Sequence, residues 1–167
     1  MGQPVDAAVN EELGRQRFEP PNRKRLSGPG LRTFLRIADL WRLSEQQRRL
    51  VLGYPSRSTY YGWTKAAGEH RNLTLGVDVL MRISAALGIH EALTVLFITE
   101  QEAVAWLHQP HLATVFGGKP PLDLMTCGTQ DGLLTVRRFL DGARGGLYMK
   151  PNGADDLMSE ESDISFV

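Results

Sequence analysis

Apolar residues along this chain recur three and four positions apart, the spacing that places them on one face of an α-helix. The first clear stripe contains Leu31 and Phe34, and the last contains Leu133, Val136 and Leu140. No segment of useful length alternates apolar and polar residues as a half-buried strand would. The pattern therefore predicts an all-α fold.

Capping residues and glycines divide the front half of this pattern into helices. Ser44 and Gln47 have the spacing of a capping box, and Gly53 follows at a position typical of a helix end. The next helix begins at Ser56 or Ser58 and opens with small polar and basic residues. Two helices joined by a short turn with a glycine form the helix-turn-helix plan of many DNA-binding proteins.

Three more helices are predicted in the middle of the chain. We expect one from Thr74 to Gly88, a short buried one over residues 90–97, and one that Thr99 caps. Glycine and proline then divide residues 106–146 into two short helices. Such helices cannot bury enough apolar surface to be stable alone, so they dock on the rest of this chain or on another protein.

Composition limits the classes of protein to which the chain can belong. Of its 167 residues 42% are apolar, which is enough for a packed core and argues against wholesale disorder. The single cysteine, Cys127, excludes an internal disulfide framework and fits a reducing compartment. The start of the chain lacks the features of a signal peptide, and no run of about 18 apolar residues could span a bilayer. We therefore expect a cytoplasmic protein without a membrane segment.

The formal net charge of zero hides a strong asymmetry along the chain. Residues 15–65 contain 12 Lys or Arg and three acids, whereas residues 151–167 contain five acids and no base. A basic front suggests a polyanionic partner, and the alternative is a solvated basic face with a solubilising tail. Residues 1–28, rich in Pro, Gly and charge, predict a flexible basic arm whose cluster at 23–25 could touch phosphates.

Short donors and an arginine near the start of the second helix suit major-groove recognition, because that end of a recognition helix enters the groove. The late arginines of the preceding helix suit contacts to the phosphate backbone. Trp63 fits a core position better than a DNA contact. The predicted DNA-binding residues are Arg48, Arg49, Arg57, Ser58, Thr59, Tyr60 and Lys65.

The candidate catalytic and metal-binding groups do not form a familiar site. His108, His111 and Cys127 lack a fourth ligand at a known spacing, and Pro110 interrupts the histidine pair. Cys127 has no evident orienting residue for nucleophilic catalysis. We therefore expect no catalytic residue, no metal and no cofactor, and a binding protein rather than an enzyme.

The ordered motifs of the chain resemble those of the Xre–MbcA–ParS family of antitoxins, the partners of RES-domain toxins. The Xre-like helix-turn-helix corresponds to LSEQQRRLVLGYPSRSTYYGWTK, and the toxin-binding segment to residues 106–146 with its Gly-Gly turn, PLDL helix and closing VRRFL helix. The resemblance covers about Leu31 to Met149 and is most specific in the second segment. It implies an antitoxin that binds an NAD-consuming toxin, covers its active site, and represses its own operon as a dimer or a larger toxin–antitoxin assembly.

The resemblance also implies a division of the chain. Residues 1–28 form the arm, 29–98 the Xre-like helix-turn-helix domain, 99–150 the toxin-binding domain, and 151–167 an acidic tail. The toxin-facing surface of the family is C-terminal. Carried onto this chain, it comprises Leu133, Arg137, Arg138, Asp141, Arg144, Leu147, Tyr148, Asp155, Asp156, Glu160, Glu161, Phe166 and Val167.

The tail after Met149 lies outside the resemblance, but its composition suggests a role. A pocket that binds a dinucleotide holds phosphates with basic side chains and amide donors. An acidic segment with Ile164 and Phe166 as apolar anchors could occupy such a pocket. The main alternative to an antitoxin is a stand-alone helix-turn-helix regulator that uses residues 106–146 for dimerisation. A third interpretation is a toxin inhibitor whose helix-turn-helix no longer binds DNA.

Overall fold

The computed structural model describes residue 16 and residues 18–145, and every regular element in this part of the chain is a helix. It contains seven α-helices, one short 3₁₀ helix (Thr114–Phe116) and no strand, which confirms the predicted all-α fold. The helices are α1 (Pro20–Leu40), α2 (Glu45–Val51), α3 (Arg57–Gly68), α4 (Val77–Leu96), α5 (Glu100–His108), α6 (Pro121–Met125) and α7 (Gln130–Arg144). The predicted acidic tail lies outside the described residues.

Helix α1 extends into the segment for which the sequence predicted a flexible arm. Pro20 and Pro21 occupy its first turn, where a missing backbone N–H costs nothing. Arg23 Nη1 donates to the carbonyl oxygen of Leu75 at 3.0 Å, and the backbone N–H of Leu75 donates to Ser27 Oγ at 2.8 Å. These bonds fix α1 to the loop before α4. The prediction of an arm was therefore wrong for this part of it.

The sequence located the ends of α2 and the start of α3 correctly. Ser44 Oγ accepts a hydrogen bond from the Gln47 N–H, and the Gln47 side chain accepts one from the Ser44 N–H, which is the predicted capping box. Gly53 follows with a φ of +98°, the left-handed conformation that glycine adopts without strain. Ser56, the first of two candidate caps, accepts a hydrogen bond from the Thr59 N–H at 3.1 Å.

One long helix, α4, replaces the two that the sequence predicted in this region. It begins after Gly76 rather than at Thr74, and it continues through Gly88 to Leu96. Gly88 lies under the guanidinium of Arg137 from α7, whose Nε would be 2.6 Å from a Cβ at this position. The glycine thus marks a close approach of two helices and not a helix end.

Helix α4 also departs from the expectation that no segment could span a membrane. It has 20 residues, and an 18-residue window within it has a mean hydropathy of 1.5, so it would be long and apolar enough by these two criteria alone. Half of this span, 50%, is buried inside the protein, and Leu80, Ile83, Ile89 and Leu93 belong to the core. In this fold α4 is the central core helix.

A single hydrophobic core joins the two halves of the described chain. Helix α4 packs against both α1 and α7, and α3 packs against α1. Leu133, Val136 and Leu140 of α7 are buried, which confirms the predicted inward stripe and identifies its partner as this chain's own α4. The division predicted between residues 98 and 99 falls in the connection from α4 to α5, and the core continues across it.

A buried arginine ties three parts of the fold together. Arg82 of α4 is 8% exposed, and its Nε donates to Asp78 Oδ2 at 2.8 Å. Its Nη1 faces the carbonyl oxygens of Gly128 and Val51, at 3.2 Å and 3.5 Å. Gln130 Nε2 donates to Asp78 Oδ1 at 3.0 Å. The end of α2, the first turns of α4 and the start of α7 thus meet at one guanidinium and its carboxylate.

Replacing Gly132 by Ala should destabilise this fold. A Cβ there would overlap the carbonyl oxygen of Leu124 and lie 2.7 Å from Cys127 Sγ, so the backbones of α6 and α7 would have to separate. We expect the free energy of unfolding, measured by urea denaturation, to fall by about 2–3 kcal/mol.

Gly88→Ala is the matched control. The added Cβ would meet the end of the flexible Arg137 side chain, which can swing away. Ala is also favoured over Gly inside a helix by about 1 kcal/mol. The free energy of unfolding of this variant should stay within about 1 kcal/mol of the wild-type value. Equal losses in the two variants would contradict the close backbone approach at Gly132.

Candidate functional site

The turn between α2 and α3 is held by its backbone conformation and by one arginine. Gly53 and Tyr54 both have a left-handed backbone, with φ of +98° and +61°. Arg49 Nε donates to the carbonyl oxygen of Pro55 at 2.9 Å, and its guanidinium lies 4.6 Å from the centre of the Tyr54 ring. Tyr54 is exposed, so the turn presents an aromatic side chain stacked on a cation. The sequence did not predict a role for this tyrosine.

The first turn of α3 presents a polar and basic surface to solvent. Arg57, Ser58 and Thr59 are exposed, as the predicted DNA-binding role requires, and Lys65 is exposed two turns later. The side chain of Arg57 is 76% exposed and its Nη2 lies 3.2 Å from Glu45 Oε1. An ion pair this exposed is worth little, so it leaves the guanidinium available to another anion.

Tyr60 does not belong to this exposed surface. It is 7% exposed and lies in the core, so its prediction as a DNA contact was wrong, whereas its neighbour Tyr61 is 65% exposed. The spacing already indicated this, because Tyr60, Trp63 and Ala67 lie three and four apart and form the inward face of α3. Burial raises the pKa of Tyr60, since ionisation would leave a desolvated phenolate, and the charge of Arg48 opposes that shift.

Arg48 is engaged inside the fold. Its Nε donates to the carbonyl oxygen of Leu43 at 2.9 Å, and its Nη2 donates to Asp39 Oδ1 at 2.6 Å. Its charge also acts on Tyr60, where it opposes the rise in pKa that burial causes. The two hydrogen bonds hold α2 against the end of α1. A phosphate contact by Arg48 would have to compete with them.

Four rings form a compact cluster in the C-terminal half of the described chain. Trp106 of α5, His111 of the following loop, Phe116 of the 3₁₀ helix and Phe139 of α7 have centroids 5.0–6.2 Å apart in every pair. Most pairs are edge-to-face, which the charge distribution of aromatic rings favours. Phe97, at the end of α4, adds a contact to Trp106 at 6.4 Å. We call these five rings the aromatic cluster.

The residues that could have suggested a metal site have separate local partners. His111 belongs to the aromatic cluster, and its Nδ1 accepts a hydrogen bond from a backbone N–H at 3.1 Å. Burial lowers the pKa of His111, because charging the ring would require a desolvated imidazolium. His108 Nε2 lies 2.7 Å from the carbonyl oxygen of Trp41, and Cys127 Sγ lies 3.1 Å from Thr129 Oγ1. Within residues 18–145, no group of three His, Cys, Asp or Glu could hold a metal ion.

The outward side of α7 is charged. Arg137 Nε lies 3.5 Å from Asp141 Oδ2, and Arg138 Nη2 lies 3.6 Å from Asp131 Oδ1. Arg138, Asp141 and Arg144 are exposed, and Arg137 is partly covered by α4. These four predicted toxin-binding residues therefore lie on one helix with their charged groups accessible.

Leu133 differs from the other toxin-binding predictions on α7. It is fully buried, so its prediction as a direct contact was wrong, because it completes the stripe that packs on α4. The remaining residues of that predicted set follow the end of α7. Those that lie outside the described residues are Leu147, Tyr148, Asp155, Asp156, Glu160, Glu161, Phe166 and Val167.

Comparison with known families gives a match to one C-terminal segment of the chain. Residues 92–146 match the family model of the antitoxin Xre/MbcA/ParS C-terminal toxin-binding domain. The chain belongs to this antitoxin family. The match begins inside α4, and it contains every ring of the aromatic cluster and the whole of α7. We therefore expect a toxin partner to contact the surface of residues 92–146.

A relative gives the extent of the similarity. The antitoxin is 41% identical over 116 residues to a Sinorhizobium fredii protein named uncharacterized protein y4oB. The similar region covers 70% of this chain and 84% of that protein. No solved structure matches the chain significantly. The functional information therefore comes from the family model, which describes a toxin-binding domain.

Proposed function

We propose that this antitoxin neutralises a RES-domain toxin that consumes NAD, and that it represses its own operon through α2 and α3. The observation that supports the toxin side is the match of residues 92–146 to a toxin-binding domain. The toxin class comes from the resemblance of the ordered motifs to the Xre–MbcA–ParS family. In this proposal the protein acts in the cytoplasm as a binding protein, without catalysis, cofactor or metal.

The toxin side of the proposal uses the charged surface of α7 and the tail that follows it. Arg138, Asp141 and Arg144 are exposed on this helix, and α7 is anchored to α4 through its buried stripe. A helix fixed in this way can present charged groups in a constant geometry. The chain then continues into residues 151–167, whose five acids suit a pocket built to hold the phosphates of a dinucleotide.

The DNA side of the proposal uses the exposed start of α3. Arg57, Ser58 and Thr59 are of the right types to reach base edges, and Tyr61 takes the place that the sequence assigned to Tyr60. In this proposal Arg49 of α2, whose guanidinium lies against the turn, contacts the phosphate backbone. Recognition of two half-sites would require a dimer of the antitoxin or a larger toxin–antitoxin assembly.

The alternative function is a stand-alone regulator that uses residues 106–146 to dimerise. The match of residues 92–146 to a toxin-binding domain favours the antitoxin. The two functions also differ in a simple experiment, because only the antitoxin requires a toxic partner.

Co-expression with the product of the adjacent gene tests the toxin side. We expect that product alone to lower cellular NAD and arrest growth, and the full antitoxin to restore both. Deleting residues 152–167 should release toxicity while leaving operator binding intact, because the tail is proposed to occlude the NAD pocket. Growth and NAD content are measured in the same cultures.

Deleting residues 1–15 is a control of similar length and should leave neutralisation intact. An adjacent gene product that neither binds the antitoxin nor lowers NAD would argue against the proposed function. Full neutralisation by the protein without residues 152–167 would restrict the tail to a solubilising role.

Arg57→Ala tests the DNA side. If Arg57 reads a guanine edge, its loss should weaken operator binding by about 1–3 kcal/mol and relax the preference at that base pair. Arg49→Ala should instead weaken binding to all sequences alike and reduce the salt dependence. Fluorescence anisotropy titrations on the DNA upstream of the operon, at several salt concentrations, measure both effects.

Arg71→Ala is the matched control, because Arg71 is exposed after α3 and pairs with Glu69 at 2.7 Å. Its operator affinity should remain at the wild-type value. The assignment of α3 to DNA would have to be abandoned if Arg57→Ala and Arg49→Ala bound the operator as tightly as this control.

A further inference from the structure

Two large apolar side chains of the antitoxin are almost completely exposed. Ile98 and Leu112 each have 95% of their surface accessible, more than any other large apolar side chain in residues 18–145. Single exposed apolar residues are common on protein surfaces and need no explanation. Both of these, however, lie within the segment 92–146 that matches the toxin-binding domain.

The arrangement of the exposed apolar residues follows the aromatic cluster. At three places the chain turns a ring of the cluster inward and the neighbouring apolar residue outward. Ring contacts connect the three places, because Trp106 touches the rings of Phe97, His111 and Phe116. The exposed side chains therefore border one packed cluster. The inward and outward pairs are Phe97 with Ile98, His111 with Leu112, and Phe116 with Val115.

A groove opens beside Ile98 at the junction of α1, α4 and α5. Its volume is about 170 Å³, and its walls include Leu40, Leu93 and Ala103. A cavity of about 150 Å³ is known to hold a benzene ring, so the groove has room for one aromatic or aliphatic side chain. Glu100 forms part of its wall. The wall also includes His90 and two threonines, so the groove combines apolar side chains with polar groups, of which the carboxylate of Glu100 is the acidic one.

We propose that Ile98, Leu112, Val115 and this groove form a docking surface for the toxin, and we call it the Ile98 surface. The partner would insert one apolar side chain into the groove and place a basic side chain near Glu100. The inference rests on the proposed function, because it takes a protein toxin as the partner of the matched domain. It adds an apolar contact surface that is separate from the charged side of α7 and from the acidic tail.

The rigidity of the cluster is what makes this surface suited to binding. Loops that carry exposed apolar residues usually lose conformational entropy when they bind, which weakens association. Here the neighbours of Ile98 and Leu112 are packed among rings before any partner arrives. In protein interfaces a few well-packed residues near the centre of the contact supply most of the binding energy.

The test is a full-length antitoxin carrying Ile98→Ser and Leu112→Ser. The probe is the product of the adjacent gene, separated from the co-expressed complex in denaturant, refolded and immobilised for interferometry. We expect the dissociation constant to rise about 100-fold or more, because two apolar anchors are lost. The melting temperature should not change, since both side chains are already solvated in the free protein.

Val77→Ser with Met81→Ser is the matched control, because these apolar residues are also exposed but lie outside residues 92–146. The control should bind the immobilised product as tightly as the wild type. If the Ile98→Ser, Leu112→Ser variant bound the product equally tightly, the Ile98 surface would be overturned while the proposed function would stand.

Two further outcomes separate this inference from its alternatives. Light scattering that shows a dimer for the wild type and a monomer for the double variant, with binding to the product retained, would assign the surface to a second copy and overturn the inference. A wild-type protein that does not bind the product at all would overturn the proposed function, and the Ile98 surface as a toxin contact with it.

Discussion

Arg82 carries its charge inside the fold, where each donor of a guanidinium needs a partner. Its Nε and Nη1 donate to groups on three elements: Val51 at the end of α2, Asp78 in α4, and Gly128 before α7. The backbone beside Arg82 leaves room for its guanidinium at Gly53. Gly53 has a positive φ, and a Cβ there would come within 3.2 Å of Arg82 Nε. The helices proposed to bind DNA and the toxin-binding domain are thus fixed to the same side chain.

Through this connection one set of packed helices, the shared frame, supports both the proposed DNA-binding surface and the toxin-binding domain. Helix α4 contributes to the core under α1 and to the core under α7, and its end supplies Phe97 to the aromatic cluster. The family match begins within this helix, so the toxin-binding domain shares it with the N-terminal half. A partner bound at either surface therefore meets a chain whose helices are already positioned, and little ordering entropy remains to be lost on binding.

The sequence predicted those features that depend on neighbouring residues. The capping box at Ser44, the left-handed Gly53 and the buried stripe of α7 were all evident from spacing, because they follow from the geometry of a single helix. The start of α1 was not predicted, since the partner that holds Arg23 and Ser27 is Leu75, about 50 residues away. Composition alone could not reveal that contact.

In the candidate sites, too, contacts between residues far apart in the sequence could not be predicted. The helix that begins after Ser56 was located correctly. Tyr60, however, was chosen as a DNA contact for its chemistry, although its spacing from Trp63 and Ala67 marked it as buried. The role of Arg82 could not be predicted, because two of its partners are 31 and 46 positions away in the sequence. Leu133 was predicted both to face inward and to contact the toxin. It is buried against α4, so only the first prediction is confirmed.

The shared frame can be tested by amide hydrogen exchange on Arg82→Met, with Arg138→Met as the control for an exposed arginine. Loss of the buried guanidinium leaves the carbonyl oxygens of Val51 and Gly128 without their donor, at a cost of about 2–4 kcal/mol. We expect amides at the end of α2 and at the start of α7 to lose protection together, while the control matches the wild type. Loss of protection on one side only, or on neither, would contradict the shared frame.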